Sequence, residues 1–224
     1  MLLIVPGVLK PDELALARSW LAHARFVDGK ASAGAAARRV KHNLEAERGA
    51  AELERLDEMV MGNLSRHPVY RGGALPLHAA TPLYIRYQAG MEYGDHLDDP
   101  IMGGSGVMYR SDVAVTVFLS APGEYDGGEL AIRGAAGEQA VKLPAGDAVL
   151  YPAGSIHRVR PVTRGERLVA VTWVQSVVRD AARRELLYGL NLAREKLLES
   201  APRAEETAQV NAAYLNLIRM WSDL

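Results

Sequence analysis

Between residues 83 and 175 the chain breaks into short runs rich in β-branched and aromatic residues, at 83–88, 95–98, 113–120, 128–133, 138–143, 147–151, 156–162 and 167–175, divided by Gly and Pro. Strands that short and that frequent bury their apolar faces by stacking as a β-sandwich or closing as a barrel. The flanks have a different texture. Lys10-Pro11-Asp12-Glu13 opens a helix in which Leu14, Ala17, Arg18 and Leu21 recur at helical spacing, with Asp12 placed to cap its start. A second helical segment runs over 47–65, with Leu53, Leu56, Val60 and Leu64 on one face, so the first third reads as mainly helical. After Ser176 the pattern returns to helix: Leu186, Leu190, Ala193 and Leu197 share one face, and Val210, Tyr214, Leu217 and Trp221 another. The expected organisation is mainly β with flanking helices: a unit of residues 1–176, helical to about 80 and β from 81, followed by a helical C-terminal region of 177–224.

Composition narrows the chemistry. A chain of 224 residues with 49% hydrophobic content fills one core plus an appendage. With 26 basic and 27 acidic residues the net charge is −1, so no bulk attraction to nucleic acid or an anionic membrane is expected. The absence of cysteine excludes disulfides, thiolate catalysis, iron–sulfur clusters and Cys-type zinc sites. Any metal must be held by His and carboxylate. The apolar start Leu2-Leu3-Ile4-Val5 is broken by Pro6-Gly7 and lacks the charged start of a secretory signal, and the apolar stretches 113–119 and 168–174 fall short of a membrane span of about 20 residues. A soluble, cytoplasmic protein is expected.

Within the β region stands Tyr93-Gly-Asp-His96-Leu-Asp98, answered some sixty residues later by His157 and then Arg167. Two histidines and one carboxylate hold a redox-active iron while leaving positions open for oxygen and a co-substrate. Strand alternation points His96 and Asp98 one way and Asp95 and Asp99 the other, which selects Asp98 among the nearby acids. His157 follows the run 147–151 and the turn Pro152-Ala-Gly, so it starts a different strand. Arg167 and Trp173 share parity on the last strand with Val169 and Val171 between them. An inward arginine requires an anion, because an unpaired buried guanidinium is costly and its planar fork suits a carboxylate. If no protein acid serves, the terminal carboxylate of a dicarboxylate co-substrate does.

Each residue has a plainer reading. A lone strand histidine is more often structural than ligating, Tyr87 and Tyr93 singly are ordinary strand aromatics, and Trp173 beside Val171 and Val174 is plain core. Asp126-Gly-Gly-Glu129 reads as a turn, Lys41 and Asn43 as surface loop residues or, alternatively, as substrate contacts at the mouth of the site, Gly103-Gly-Ser-Gly106 as a mobile lid or slack connector, and Arg179, Arg183 and Arg184 as a solvated helix face. The ordered set His96, Asp98, His157 and Arg167 outweighs the plain readings of its members.

Taken together, Arg86-Tyr87-Gln88, Tyr93-Gly-Asp-His96-Leu-Asp98, Tyr125-Asp-Gly-Gly-Glu-Leu130, Leu143-Pro-Ala-Gly-Asp147, Leu150-Tyr-Pro152, His157 and Pro161-Val-Thr-Arg-Gly165 resemble the iron(II)/2-oxoglutarate-dependent dioxygenases of the prolyl 4-hydroxylase type, and within them the bacterial PKHD-type hydroxylases. Val40-Lys41 and Asn43 resemble a short segment of that subfamily, and the likeness covers nearly the whole chain. The resemblance implies a double-stranded β-helix (jelly roll) with a small helical C-terminal region, Fe(II) held by His96, Asp98 and His157, and the distal carboxylate of 2-oxoglutarate on Arg167. It implies further that Tyr87 contacts the co-substrate and Trp173 lines its pocket, that O2 is consumed with ascorbate as a possible reductant, and that hydroxylation is coupled to decarboxylation of 2-oxoglutarate to succinate. The subfamily's association with iron acquisition implies a role in iron homeostasis. A siderophore-like small molecule or a protein side chain are both open as substrate. The competing functions are a zinc-dependent hydrolase using the same ligands, against which Arg167 argues, and a non-catalytic jelly-roll binding module. The C-terminal helices are expected to pack on the barrel, with a homodimer contact as the alternative.

Overall fold

The computed structural model describes residues 1–104, 106–134 and 137–224. Ahead of the β-rich region come β1 (Leu3–Val5), α1 (Pro11–His23), β2 (Phe26–Asp28), β3 (Lys41–His42), β4 (Leu44–Ala46), α2 (Ala51–Arg66), α3 (Pro68–Ala74) and β5 (Pro76–Ala79). The β region comprises β6 (Leu83–Gln88), β7 (Glu92–His96), β8 (Ile101–Gly104), β9 (Val107–Arg110), β10 (Val113–Phe118), β11 (Tyr125–Gly127), β12 (Leu130–Gly134), β13 (Gly137–Val141), β14 (Ala148–Pro152), β15 (His157–Val159) and β16 (Val162–Ser176). Two helices, α4 (Ala181–Ser200) and α5 (Glu205–Trp221), complete the chain.

The major sheet has the order β1-β14-β10-β16-β6-β4-β2, with β5 and β11 also paired to β16. The minor sheet has the order β13-β12-β15-β7-β3, while β8 and β9 form a separate hairpin. Every pairing is antiparallel. The sheets close on each other around Ile85, Phe118, Leu130, Ile132, Val149, Val159 and Val169, which come from both of them. The result is the jelly roll expected from the sequence.

On β16 the side chains alternate between two different cores. Val169, Val171 and Trp173 point into the space between the sheets, whereas Leu168, Ala170 and Val174 pack with Leu53, Leu56, Val60 and Leu64 of α2. A strand buried on both faces has no polar side, which is why 113–119 and 168–174 read as uninterrupted apolar runs. The four α2 residues are buried to within 2%, each adding roughly 1.5–3 kcal/mol of apolar burial.

The first third departs from the mainly helical reading, since five of its segments are strands that join the two sheets. They are two to four residues long, too short to show a period of two, and they are held by partners far along the chain. The helix read over 47–65 begins at Ala51. At the start of α1 it is Glu13, not Asp12, that accepts from the Lys10 backbone N–H, at 2.9 Å.

The α4–α5 hairpin packs through Val178, Leu187 and Tyr214 with Leu75, Leu190, Ile218 and Trp221 around them. Asp223 fastens the chain end to the barrel: its N–H donates to the Val177 carbonyl at 2.8 Å, and its carboxylate pairs with Arg110 at 3.2 Å. Arg184 is not on a solvated face. It is buried and donates to the carbonyls of Val178 (2.8 Å), Arg179 (2.7 Å) and Asp112 (3.2 Å).

Candidate active site

β7 and β15 lie side by side in the minor sheet with His96 and His157 paired in register. Asp98 follows two residues past the end of β7, which returns its side chain to the same face. One donor atom from each of His96, Asp98 and His157 lies within 4.8 Å of the other two, and His157 Nε2 is 3.8 Å from Asp98 Oδ1. The two imidazole centroids are 4.2 Å apart.

The tautomers follow from what each ring faces. His96 Nδ1 meets the Gly94 carbonyl at 2.8 Å and His157 Nδ1 meets the Ser155 carbonyl at 2.9 Å. A carbonyl only accepts, so both Nδ1 atoms carry the proton and both Nε2 atoms keep a lone pair. These backbone carbonyls are the supporting groups that sequence alone left open. Tyr93 stacks on His96 at 3.5 Å with planes 13° apart, and Tyr151 meets His157 edge-on at 5.1 Å. Burial, reinforced by His157, pushes the His96 pKa down to about 3, so its imidazole is neutral. Burial raises the Asp98 carboxyl, with His157 and the Trp173 N–H pulling the other way. The indole does not complete a well-formed hydrogen bond, because Trp173 Nε1 and Asp98 Oδ2 are both buried without a partner. Two imidazole nitrogens and an unsatisfied carboxylate oxygen converging on one cavity wall fit a divalent metal.

Asp95 points away and pairs with Arg133 and, at 3.8 Å, with Arg158. Asp99 does not follow the expected alternation. The strand ends at His96, and Asp99 lines the cavity.

That cavity, of about 310 Å³, is lined by the triad and also by Arg167, Tyr87, Trp173, Tyr151, Thr116 and Lys41. Arg167 is 1% exposed. Its guanidinium sits 5.1 Å from the Tyr87 ring and 5.5 Å from Phe118, its Nε has no hydrogen-bond partner, and no acidic side chain among the described residues forms an ion pair with it. The Tyr87 hydroxyl accepts from Asn43 Nδ2 at 2.9 Å. All six site residues read from the sequence therefore line one cavity.

Sequence reasoning missed Tyr151 and Thr116, which line the cavity from the major sheet, and left Tyr93, which lines it too, open between scaffold and ligand. It also misplaced Lys41 and Asn43, which are 4% and 1% exposed rather than surface loop residues. Lys41 Nζ donates to Ser32 Oγ at 2.7 Å and to Glu45 at 2.5 Å. Its two-residue strand carries no periodic signal, and the Glu45 partner four residues on was the one available clue. Met102 and Gly103 line the cavity from the β8–β9 hairpin. Ser105 of the expected lid lies outside the described residues.

A jelly roll carrying such a cavity defines the non-haem iron oxygenases that consume a keto acid. The chain matches the 2OG-Fe(II) oxygenase superfamily over residues 82–175 and the PKHD-type hydroxylase C-terminal domain over 180–223. A PKHD-type hydroxylase of Thioalkalivibrio sulfidiphilus is 50% identical, covering all of both chains. Among solved structures, a prolyl hydroxylase from Trichoplax adhaerens in complex with a hypoxia-inducible-factor peptide fragment is 18% identical, with a TM-score of 0.57 over 83% of this chain and 86% of that one. HygX from Streptomyces hygroscopicus, with nickel, 2-oxoglutarate and hygromycin B bound, is 18% identical, with a TM-score of 0.53 over 79% of this chain and 84% of that one. The chain belongs to the PKHD-type hydroxylases of the 2OG-Fe(II) oxygenase superfamily, and it is an iron(II)- and 2-oxoglutarate-dependent dioxygenase. No helix among the described residues is long and apolar enough to cross a membrane.

Proposed function

We propose that His96, Asp98 and His157 ligate the iron, that Arg167 takes the distal carboxylate of 2-oxoglutarate, and that Tyr87 and Trp173 flank the co-substrate. One observation carries this reading: a buried arginine without an acidic partner in the same cavity as the triad. Iron bound there supplies the redox chemistry that joins oxidative decarboxylation of 2-oxoglutarate, giving succinate and CO2, to hydroxylation of a second substrate.

The chain's own residues do the rest. The Gly94 and Ser155 carbonyls accept from Nδ1 of the two imidazoles and so turn Nε2 of each toward the cavity. Tyr93 and Tyr151 pack against those rings, fixing their planes and keeping water from their faces. Arg167 orients the co-substrate through a bidentate pair, and Asn43 holds the Tyr87 hydroxyl in place. A hydrolase using the same ligands needs no such dicarboxylate anchor. The Trichoplax enzyme is in complex with a peptide and HygX with hygromycin B, and both a protein side chain and a small molecule stay open as substrate. The expected test is succinate release from protein supplied with Fe(II), 2-oxoglutarate and air: His96→Ala and Asp98→Ala abolish it. Turnover that survives in Asp98→Ala contradicts the ligand assignment.

The same reading divides the chain into an oxygenase unit of 1–176 and a C-terminal helical region of 177–224. Leu186, Leu192, Leu215 and Met220 remain exposed on the latter, and we propose that this helical region makes a homodimer contact. A strictly monomeric mass in solution at micromolar concentration removes that proposal. Cytoplasmic location, ascorbate as reductant and a role in iron homeostasis complete the proposed reading.

A further inference from the structure

Every charge in the cavity wall but one has a counterpart. Lys41 is neutralised by Glu45. On the reading above, Arg167 is met by the co-substrate, and Asp98 with the two histidines by the metal. Asp99 lines the same cavity, and no cation among the described residues forms an ion pair with it.

Its position is built rather than incidental. Ser111 is buried and its hydroxyl donates to the Asp99 carbonyl at 2.5 Å, while the Ser111 N–H donates to the Pro100 carbonyl at 3.0 Å. Across the mouth, the wall segment around Gly34 closes onto the carboxylate: a Cβ at Gly34 would stand 2.6 Å from Oδ2 and 2.7 Å from Oδ1. A side chain at position 34 would displace the carboxylate. Leu97, Ile101, Ala33, Ala37 and Met102 line the same cavity, and Leu97 and Ile101 are about half exposed, at 51% and 52%. Asp99 is itself exposed, so an unpaired carboxylate and two apolar side chains stand together at the mouth, open to a cation carried on an apolar stem.

We infer that Asp99 receives a cation of the substrate, an ammonium or guanidinium on an apolar stem that lies across Leu97 and Ile101. Asp99 adjoins Asp98 in the chain, so anchoring the cation there presents the C–H bonds of the stem to the triad. This inference rests on the proposed metal and co-substrate site and names the substrate class that site takes.

The test uses the full chain with Fe(II) and 2-oxoglutarate under anaerobic conditions, following how added probes perturb the visible charge-transfer band. The probes are hexylamine, N-hexylacetamide and hexanoate, with short peptides carrying lysine or Nε-acetyl-lysine as a second arm. A single charge-assisted pair predicts that the cationic member of a set acts at about tenfold lower concentration than its neutral counterpart. Asp99→Asn is expected to erase that preference and Asp99→Glu to keep it. Whichever arm shows the effect identifies the source as a free amine or a protein side chain. Equal response to amine and acetamide, a preference that persists in Asp99→Asn, or no response to any cation at millimolar concentration overturns the inference. A missing band in the native protein contradicts the site assignment instead, and saturation-transfer NMR of the same probes on native and Asp99→Asn protein then decides the role of Asp99.

Discussion

At Arg167 a guanidinium is buried with no acidic partner among the described residues. Two aromatic rings flank it and its Nε is unpartnered. Replacement of a buried charge by an apolar side chain of similar volume is commonly neutral or stabilising, so Arg167→Leu is expected to leave thermal stability unchanged or raised. The same substitution removes two charge-assisted hydrogen bonds of about 1.5–3 kcal/mol each, and 2-oxoglutarate affinity falls at least about 100-fold. Calorimetric titration and thermal denaturation of one variant check both halves. A loss of stability without a loss of affinity would make Arg167 a structural residue. Much of this was legible beforehand: the parity of Arg167 with Trp173 placed it inward, and the spacing of His96 and Asp98 put both on one face. β7 ends at His96, so alternation does not govern Asp98 or Asp99: Asp98 comes to the face expected of it, Asp99 does not, and both line the cavity.

Among the elements, the turn that follows β11 shows how local chemistry sets backbone geometry. Gly127 has φ of 68°, and a Cβ there would come within 2.0 Å of the Pro161 carbonyl oxygen. The sequence reading of Asp126-Gly-Gly-Glu129 as a turn supplied by positive φ agrees with this, since Gly128 also has φ of 67°. Gly127→Ala combines a left-handed backbone with a backbone clash, and the expected loss exceeds about 2 kcal/mol. Gly154→Ala, with open space around it and no positive φ, is expected to stay within about 0.5 kcal/mol. Urea unfolding of the pair distinguishes a constrained turn from general intolerance of alanine. The long strands were legible because both of their faces are buried and their apolar runs are unmistakable. β1 to β5 were not, since each is a few residues long and owes its extended form to a partner strand distant in sequence.

Over the whole molecule, three units meet: the jelly roll, the helices α1 to α3 covering its major sheet, and the C-terminal hairpin. Arg184 joins the last of these to the barrel through three carbonyls, and burial lowers its pKa against the pull of Asp112 and Asp180. Nothing in helical periodicity separates such an arginine from its exposed neighbours Arg179 and Arg183. Arg184→Met strips three buried carbonyls of a charged donor and is expected to cost about 2–3 kcal/mol, while 2-oxoglutarate affinity in the folded protein stays unchanged, because Arg184 is not part of the cavity wall. Scanning calorimetry beside co-substrate titration tests that separation.

The most direct test of the central claim is anaerobic titration of metal-free protein with Fe(II) and then 2-oxoglutarate, watching for the visible charge-transfer band of an iron–keto-acid chelate. The account predicts a band in the native protein that is lost in Asp98→Ala and needs far more 2-oxoglutarate in Arg167→Leu. Measurable iron binding with no band at saturating 2-oxoglutarate, or a band indifferent to both substitutions, would contradict it.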